Sequence, residues 1–104
     1  EVAECVAIGA LDIPALVGFA EREEVDLVVV GPEAPLTAGL ADACAEAGIR
    51  CFGPRAAAAR LEGSKAFFKE VANAAGAPTA EHGVFDDAEA ARAHVRSRGA
   101  PIVV

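Results

Sequence analysis

Asp26-Leu27-Val28-Val29-Val30 leads directly into Gly31-Pro32-Glu33-Ala34-Pro35-Leu36. Leu27 to Val30 is unbroken, mostly β-branched apolarity. A strand wetted on one side alternates apolar and polar residues, whereas an unbroken run suits a strand covered on both faces, as in a parallel sheet. The loop after it contains two prolines, which fix φ and leave few backbone donors, so it is stiff. Working outward, Cys5 to Ile8 and Ile49 to Phe52 read as further strands. Between them, Asp12 and Pro14 open a helix over 13–24 with Ile13, Leu16, Val17 and Ala20 on one face. A second helix is expected over 36–47, with Leu36, Leu40, Cys44 and Ala47 inward and Gly48 ending it. The order βαβαβ with short connections predicts half of a doubly wound α/β sheet with parallel strands at 5–8, 26–30 and 49–52.

The second half has a different pattern. Ala56 to Leu61 reads as a short helix, broken at Gly63. Ser64 is a candidate cap for a helix to about Ala75, with Phe68, Val71, Ala72 and Ala75 as its inner stripe. Glu81 to Phe85 alternates weakly and reads as a strand. Asp86 caps a last helix with Ala88, Ala91 and Val95 inward, and a strand begins near Pro101. A domain boundary is expected near 55–63.

The composition is globular, with 54% apolar and 24% charged residues. A net charge of −7 argues against nucleic acid or an anionic membrane as partner, since both demand a basic patch. No run of about 18 apolar residues suggests a membrane helix. Cys5, Cys44 and Cys51 form no C-x-x-C pair and read as reduced, buried thiols of a cytoplasmic protein. His82 and His94 have no acidic or Cys partner at ligand spacing, so no metal site is expected here. Ser64 has no His–Asp set for a nucleophile, and neither G-x-G-x-x-G nor a Walker A sequence is present. The chain opens on Glu1 and closes on the strand-like Pro101-Ile102-Val103-Val104, so it is expected to be a piece of something longer.

Two segments could carry chemistry. In open α/β sheets, ligands bind beyond the carboxyl ends of the strands, which is where Gly31-Pro32-Glu33 falls. Glu33 is the only side chain of that loop able to hydrogen-bond, and a carboxylate suits paired hydroxyls. It could equally serve only the positive end of the following helix. In Leu61-Glu62-Gly63-Ser64-Lys65, Lys65 occupies a first helical turn, where a cation opposes the dipole and no acid compensates. Free N–H groups with an ammonium make an anion site, and a polyphosphate would satisfy both. The alternative is a solvated surface lysine. Lys69, one turn on, reads as a residue of the wet face.

The two segments together carry a resemblance. Gly31 to Leu36 (GPEAPL), Phe52 to Pro54 (FGP), Leu61 to Phe67 (LEGSKAF) and Pro78-Thr79-Ala80 closely resemble the pattern of phosphoribosylamine–glycine ligases. Val6 to Gly9, Asp12 to Leu16 and Gly99 to Val104 also look like that family. Arg55 departs from it, standing where Ser or Thr is usual at the mouth of the sugar site, and Arg60 stands where Gln is common.

The resemblance implies an internal fragment of an ATP-grasp enzyme of purine biosynthesis. Residues 1–55 would be the C-terminal part of a Rossmann-like (pre-ATP-grasp) domain. Residues 56–104 would begin the ATP-grasp domain, with its lid subdomain from about 82. The parent enzyme would join glycine to 5-phosphoribosylamine through a glycyl phosphate, using ATP and Mg2+. Lys65 would reach ATP phosphates, and Glu33, with Gly31 and Pro32, would face the ribose. No catalytic residue and no metal ligand would lie in this stretch, which is not expected to react on its own. Another ATP-grasp carboxylate–amine ligase and a non-catalytic flavodoxin-like module are the competing readings.

Overall fold

A computed structural model describes residues 2–103. They form α1 (Ile13–Arg22), β1 (Val28–Val29), α2 (Glu33–Thr37), α3 (Leu40–Glu46), β2 (Cys51–Phe52), α4 (Ala56–Gly63), α5 (Lys65–Ala74) and α6 (Ala88–Arg98). The chain divides into two compact units, residues 1–65 and 66–104.

In the first unit β1 and β2 pair in parallel, Val28 opposite Cys51 and Val29 opposite Phe52. Val28 N–H donates to Arg50 O at 2.9 Å and Val30 N–H to Phe52 O at 3.1 Å. The α/β class and the parallel pairing are therefore as read from the sequence. The covering of both faces is not, because the register partners Val29 and Phe52 are 66% and 70% exposed. The expected strand at 5–8 is also absent. Its residues find no neighbouring strand, and a lone extended segment has nothing to offset the entropy of ordering it.

Helix α1 starts as predicted, with Asp12 Oδ1 accepting from Ala15 N–H at 3.2 Å. It ends in a left-handed turn at Glu24 (φ 50), where Val25 N–H reaches back to Ala20 O at 2.9 Å. Gly48 (φ 73) closes α3 in the same way, through Ile49 N–H to Cys44 O at 2.8 Å.

The single helix expected over 36–47 is two. It begins early, at Glu33, because Pro32 supplies the extended backbone of an N-cap. It breaks at Gly39, whose φ of 94 no helix interior allows. The apolar face survives the break: Leu36, Leu40 and Cys44 are all buried. Leu36, Ala41 and Ala59 make the core cluster, with Val30 and Cys51 packed against it.

In the second unit α5 stops at a left-handed Gly76, with Ala77 N–H to Ala72 O at 2.9 Å. Of the stripe expected on α5 only Ala72 is buried; Phe68 and Val71 are 43% and 39% exposed. Asp87, not Asp86, caps α6, its Oδ2 accepting from Ala90 N–H at 2.8 Å. Residues 81–85 form no strand. Phe85 instead lays its ring against His94, centroids 4.9 Å apart. Residues 101–103 are not in a strand either, and Val104 lies outside the described residues.

Candidate functional site

Because β1 and β2 are parallel, the segments that follow them leave the same edge of the sheet. Gly31-Pro32 carries the chain from β1 into α2, and Gly53-Pro54-Arg55 carries it from β2 into α4. Close packing ties these segments together. A Cβ placed on Gly53 would lie 2.6 Å from Leu36 Cδ2 and 3.6 Å from Val30 Cβ. A Cβ on Gly63 would lie 2.6 Å from Thr37 Cγ2. Thr37 directs its hydroxyl to Ala34 O at 2.9 Å, inside its own helix, which leaves its methyl for Gly63. Both glycines thus stand where α2 admits no side chain, so GPEAPL, FGP and the glycine of LEGSK form one packed group.

A second tie runs through Asp42 on α3. Its Oδ2 accepts the N–H of Ala56, the first residue of α4, at 2.8 Å. Its Oδ1 lies 3.9 Å from Arg55 Nε. Arg55, the departure from the family pattern, is therefore paired with α3 at the start of α4. An N–H in the first turn has no partner inside its helix, and here a side chain from another helix supplies one. Sequence reasoning missed Asp42, since a contact 14 residues away leaves no periodic trace.

Glu33 is exposed in the first turn of α2, and Lys65 is exposed as the first residue of α5. Neither side chain has a hydrogen bond or ion pair among the described residues. No acidic residue occupies the first turn of α5, so the uncompensated cation read from the sequence stands.

Lys69 is not the wet-face residue expected of it. It is half-buried, and its Nζ donates to Thr79 Oγ1 at 2.6 Å and Ala80 O at 2.8 Å. It clasps Pro78-Thr79-Ala80, the last of the quoted motifs, to α5. The ammonium thus finds two acceptors, a hydroxyl and a carbonyl, in the loop after α5.

The thiols also divide. Cys44 is buried, Cys51 half-buried and Cys5 exposed, so the expectation of three buried thiols fails for Cys5. No helix among the described residues is long and apolar enough to cross a membrane.

Residues 1–62 match the family described as phosphoribosylglycinamide synthetase, N domain. The chain belongs to that family. Over 101 residues it is 59% identical to the phosphoribosylamine–glycine ligase of Allochromatium vinosum, an alignment covering 97% of this chain and 24% of that protein. It is 54% identical to the enzyme of the same name from Brucella melitensis over 103 residues, 99% of this chain and 24% of the relative. The Escherichia coli K12 protein of that name is 54% identical over 99 residues, covering 95% and 23%. The chain thus spans about a quarter of the length of the curated relatives it matches.

Proposed function

We propose that this chain is part of an ATP-dependent phosphoribosylamine–glycine ligase, and that its packed motif cluster forms one side of the substrate site. The observation that carries the reading is the interlocking of Leu36 with Gly53 and of Thr37 with Gly63, which holds three family motifs at the carboxyl edge of a parallel sheet. In a chain this similar to ligases of that name, those contacts give its unusual glycines a common purpose.

In the proposed reaction the glycine carboxylate takes the terminal phosphoryl group of ATP. The amine of phosphoribosylamine then attacks the acyl carbon and phosphate leaves. Lys65 contributes an ammonium at a helix start, where N–H groups and a fixed positive charge together attract phosphate oxygens. Glu33 contributes a carboxylate on a rigid loop, suited to accept from two ribose hydroxyls, while Gly31 and Pro32 fix the loop. The chemistry needs a magnesium ion, yet no three His, Cys, Asp or Glu side chains among the described residues come together to hold one. Magnesium coordination and catalysis fall, in this reading, to other parts of the ligase. In this reading residues 1–55 close a Rossmann-like domain, residues 56–104 open an ATP-grasp domain with its lid from about 82, and the enzyme works in the cytoplasm on small molecules.

The test is Glu33→Ala in the ligase containing this chain. The apparent constant for phosphoribosylamine should rise by a factor equivalent to roughly 1.5–3 kcal/mol, the range for a hydrogen bond to a charged group. An unaltered constant with the fold intact would return Glu33 to a helix-dipole role.

A further inference from the structure

Gly63 is the last residue of α4 and keeps a negative φ, so it is not the left-handed glycine that ends a helix, as Gly48 and Gly76 are here. Glycine is a poor helix former, and the backbone gives no reason for one at this place. Space gives the reason. A Cβ on Gly63 would stand 2.6 Å from Thr37 Cγ2, with Thr37 Cβ next at 3.7 Å, an ordinary contact. The methyl alone therefore forbids a side chain. It does not turn aside freely, because rotation about the Thr37 Cα–Cβ bond would also pull Oγ1 off Ala34 O. Beyond the contact, only Ser64 separates α4 from α5, and Lys65 is the first residue of α5. Ser64 is extended (φ −139, ψ 107), and its N–H donates to Arg60 O at 3.0 Å. Little slack lies between Gly63 and Lys65, and Thr37 ends the helix that Glu33 begins.

We propose, resting on the reading of Lys65 as the phosphate-binding lysine, that the Thr37 methyl and Gly63 are its positioning pair. Their contact sets how closely the α4–α5 junction, and with it Lys65, stands against the helix that carries Glu33. Neither residue touches ATP. Both act through the placement of an ammonium, whose hold on a phosphate oxygen weakens once the pair leaves hydrogen-bonding distance. The contact also joins the two substrate sides, since α2 bears the ribose-facing carboxylate at its start and the methyl at its end. A Cβ inserted at Gly63 pushes the junction off α2 and carries Lys65 with it. If Gly63 merely ended a helix, alanine there would be harmless, or favourable through its helix propensity.

The experiment titrates ATP into the ligase containing this chain and follows urea unfolding of each variant. The variants are Gly63→Ala, the same change with Thr37→Ser, the same change with Thr37→Val, and Lys65→Met. Serine lacks the obstructing methyl and keeps the hydroxyl for Ala34 O, whereas valine keeps the methyl. Gly63→Ala should weaken ATP binding roughly tenfold, the scale of misplacing a group by a fraction of about 1 Å. Stability should change little, because Gly63 is exposed and the junction moves without compressing the core. Adding Thr37→Ser should restore most of the affinity, and adding Thr37→Val none of it. With Lys65→Met impaired, unchanged affinity in Gly63→Ala or equal affinity in the two double variants overturns the positioning pair alone. With Lys65→Met unimpaired, the role of Lys65 fails and the pair falls with it. Should Gly63→Ala not fold, the single Thr37 variants decide: Thr37→Ser loosens the contact and should bind ATP more weakly than Thr37→Val, and equal affinities overturn the proposal.

Discussion

Leu36 fills the space that a side chain on Gly53 would need: a Cβ there would stand 2.6 Å from Leu36 Cδ2. The leucine tip has no room to swing away, because Leu36 is 5% exposed and central to the core cluster. Gly53→Ala should therefore destabilise the first unit by about 1–3 kcal/mol through overpacking. Leu36→Ala should cost about 2–5 kcal/mol by leaving a cavity. The double substitution should cost less than the two added together, since each change accommodates the other. Urea unfolding of the four proteins reads this directly, and strict additivity would show that the two residues do not press on one another.

Asp42 ties α3 to the start of α4. Asp42→Ala should cost about 0.5–2 kcal/mol, the range for losing a cap, and should speed amide exchange at Ala56 in particular. Asp42→Asn keeps an acceptor for that N–H while losing the charge opposite Arg55. Since both partners in that ion pair are exposed to solvent, Asn should recover most of the loss. Equal losses for Ala and Asn would assign the effect to the ion pair instead.

How much of this was legible beforehand follows from what each feature depends on. The α/β class, the parallel pairing of 28–29 with 51–52, and the inward face Leu36, Leu40, Cys44 rest on local apolar patterning, which the sequence states openly. The strand at 5–8 had the same patterning and did not form, because a strand needs a neighbour and patterning says nothing about whether one is present. The break at Gly39 was signalled by a glycine within the expected helix, but the continuing apolar spacing on both sides masked it. The motif glycines were visible, though not their reason, since the partners of Gly53 and Gly63 lie 17 and 26 residues earlier. Asp42 and Lys69 were illegible for a related reason: their roles come from contacts 14 and 10 residues distant.

Lys69 holds the loop after α5 by two short hydrogen bonds, to Thr79 Oγ1 and Ala80 O. Lys69→Met keeps the aliphatic stem and removes both donors. At roughly 1.5–3 kcal/mol for hydrogen bonds from a charged group, the loss should fall on the second unit alone. Limited proteolysis should then cut within 77–80 much faster than in the parent. A Lys69→Met chain with unchanged cleavage there would mean that the loop keeps its place without the lysine.

Lys65 bears most directly on the central claim, that these residues belong to an ATP-using ligase and that its LEGSK lysine meets the nucleotide. Lys65→Met removes the ammonium and keeps the stem, and it also removes an unfavourable charge from the first turn of α5, worth roughly 0.3–1 kcal/mol. Folding should therefore be unharmed or slightly improved. The deciding measurement is isothermal titration of ATP into the ligase containing this chain, with and without Lys65→Met. The account predicts a loss of roughly 1.5–3 kcal/mol, a tenfold to hundredfold weakening at unchanged stability. ATP affinity equal to that of the unsubstituted protein would contradict it and make Lys65 an ordinary surface lysine.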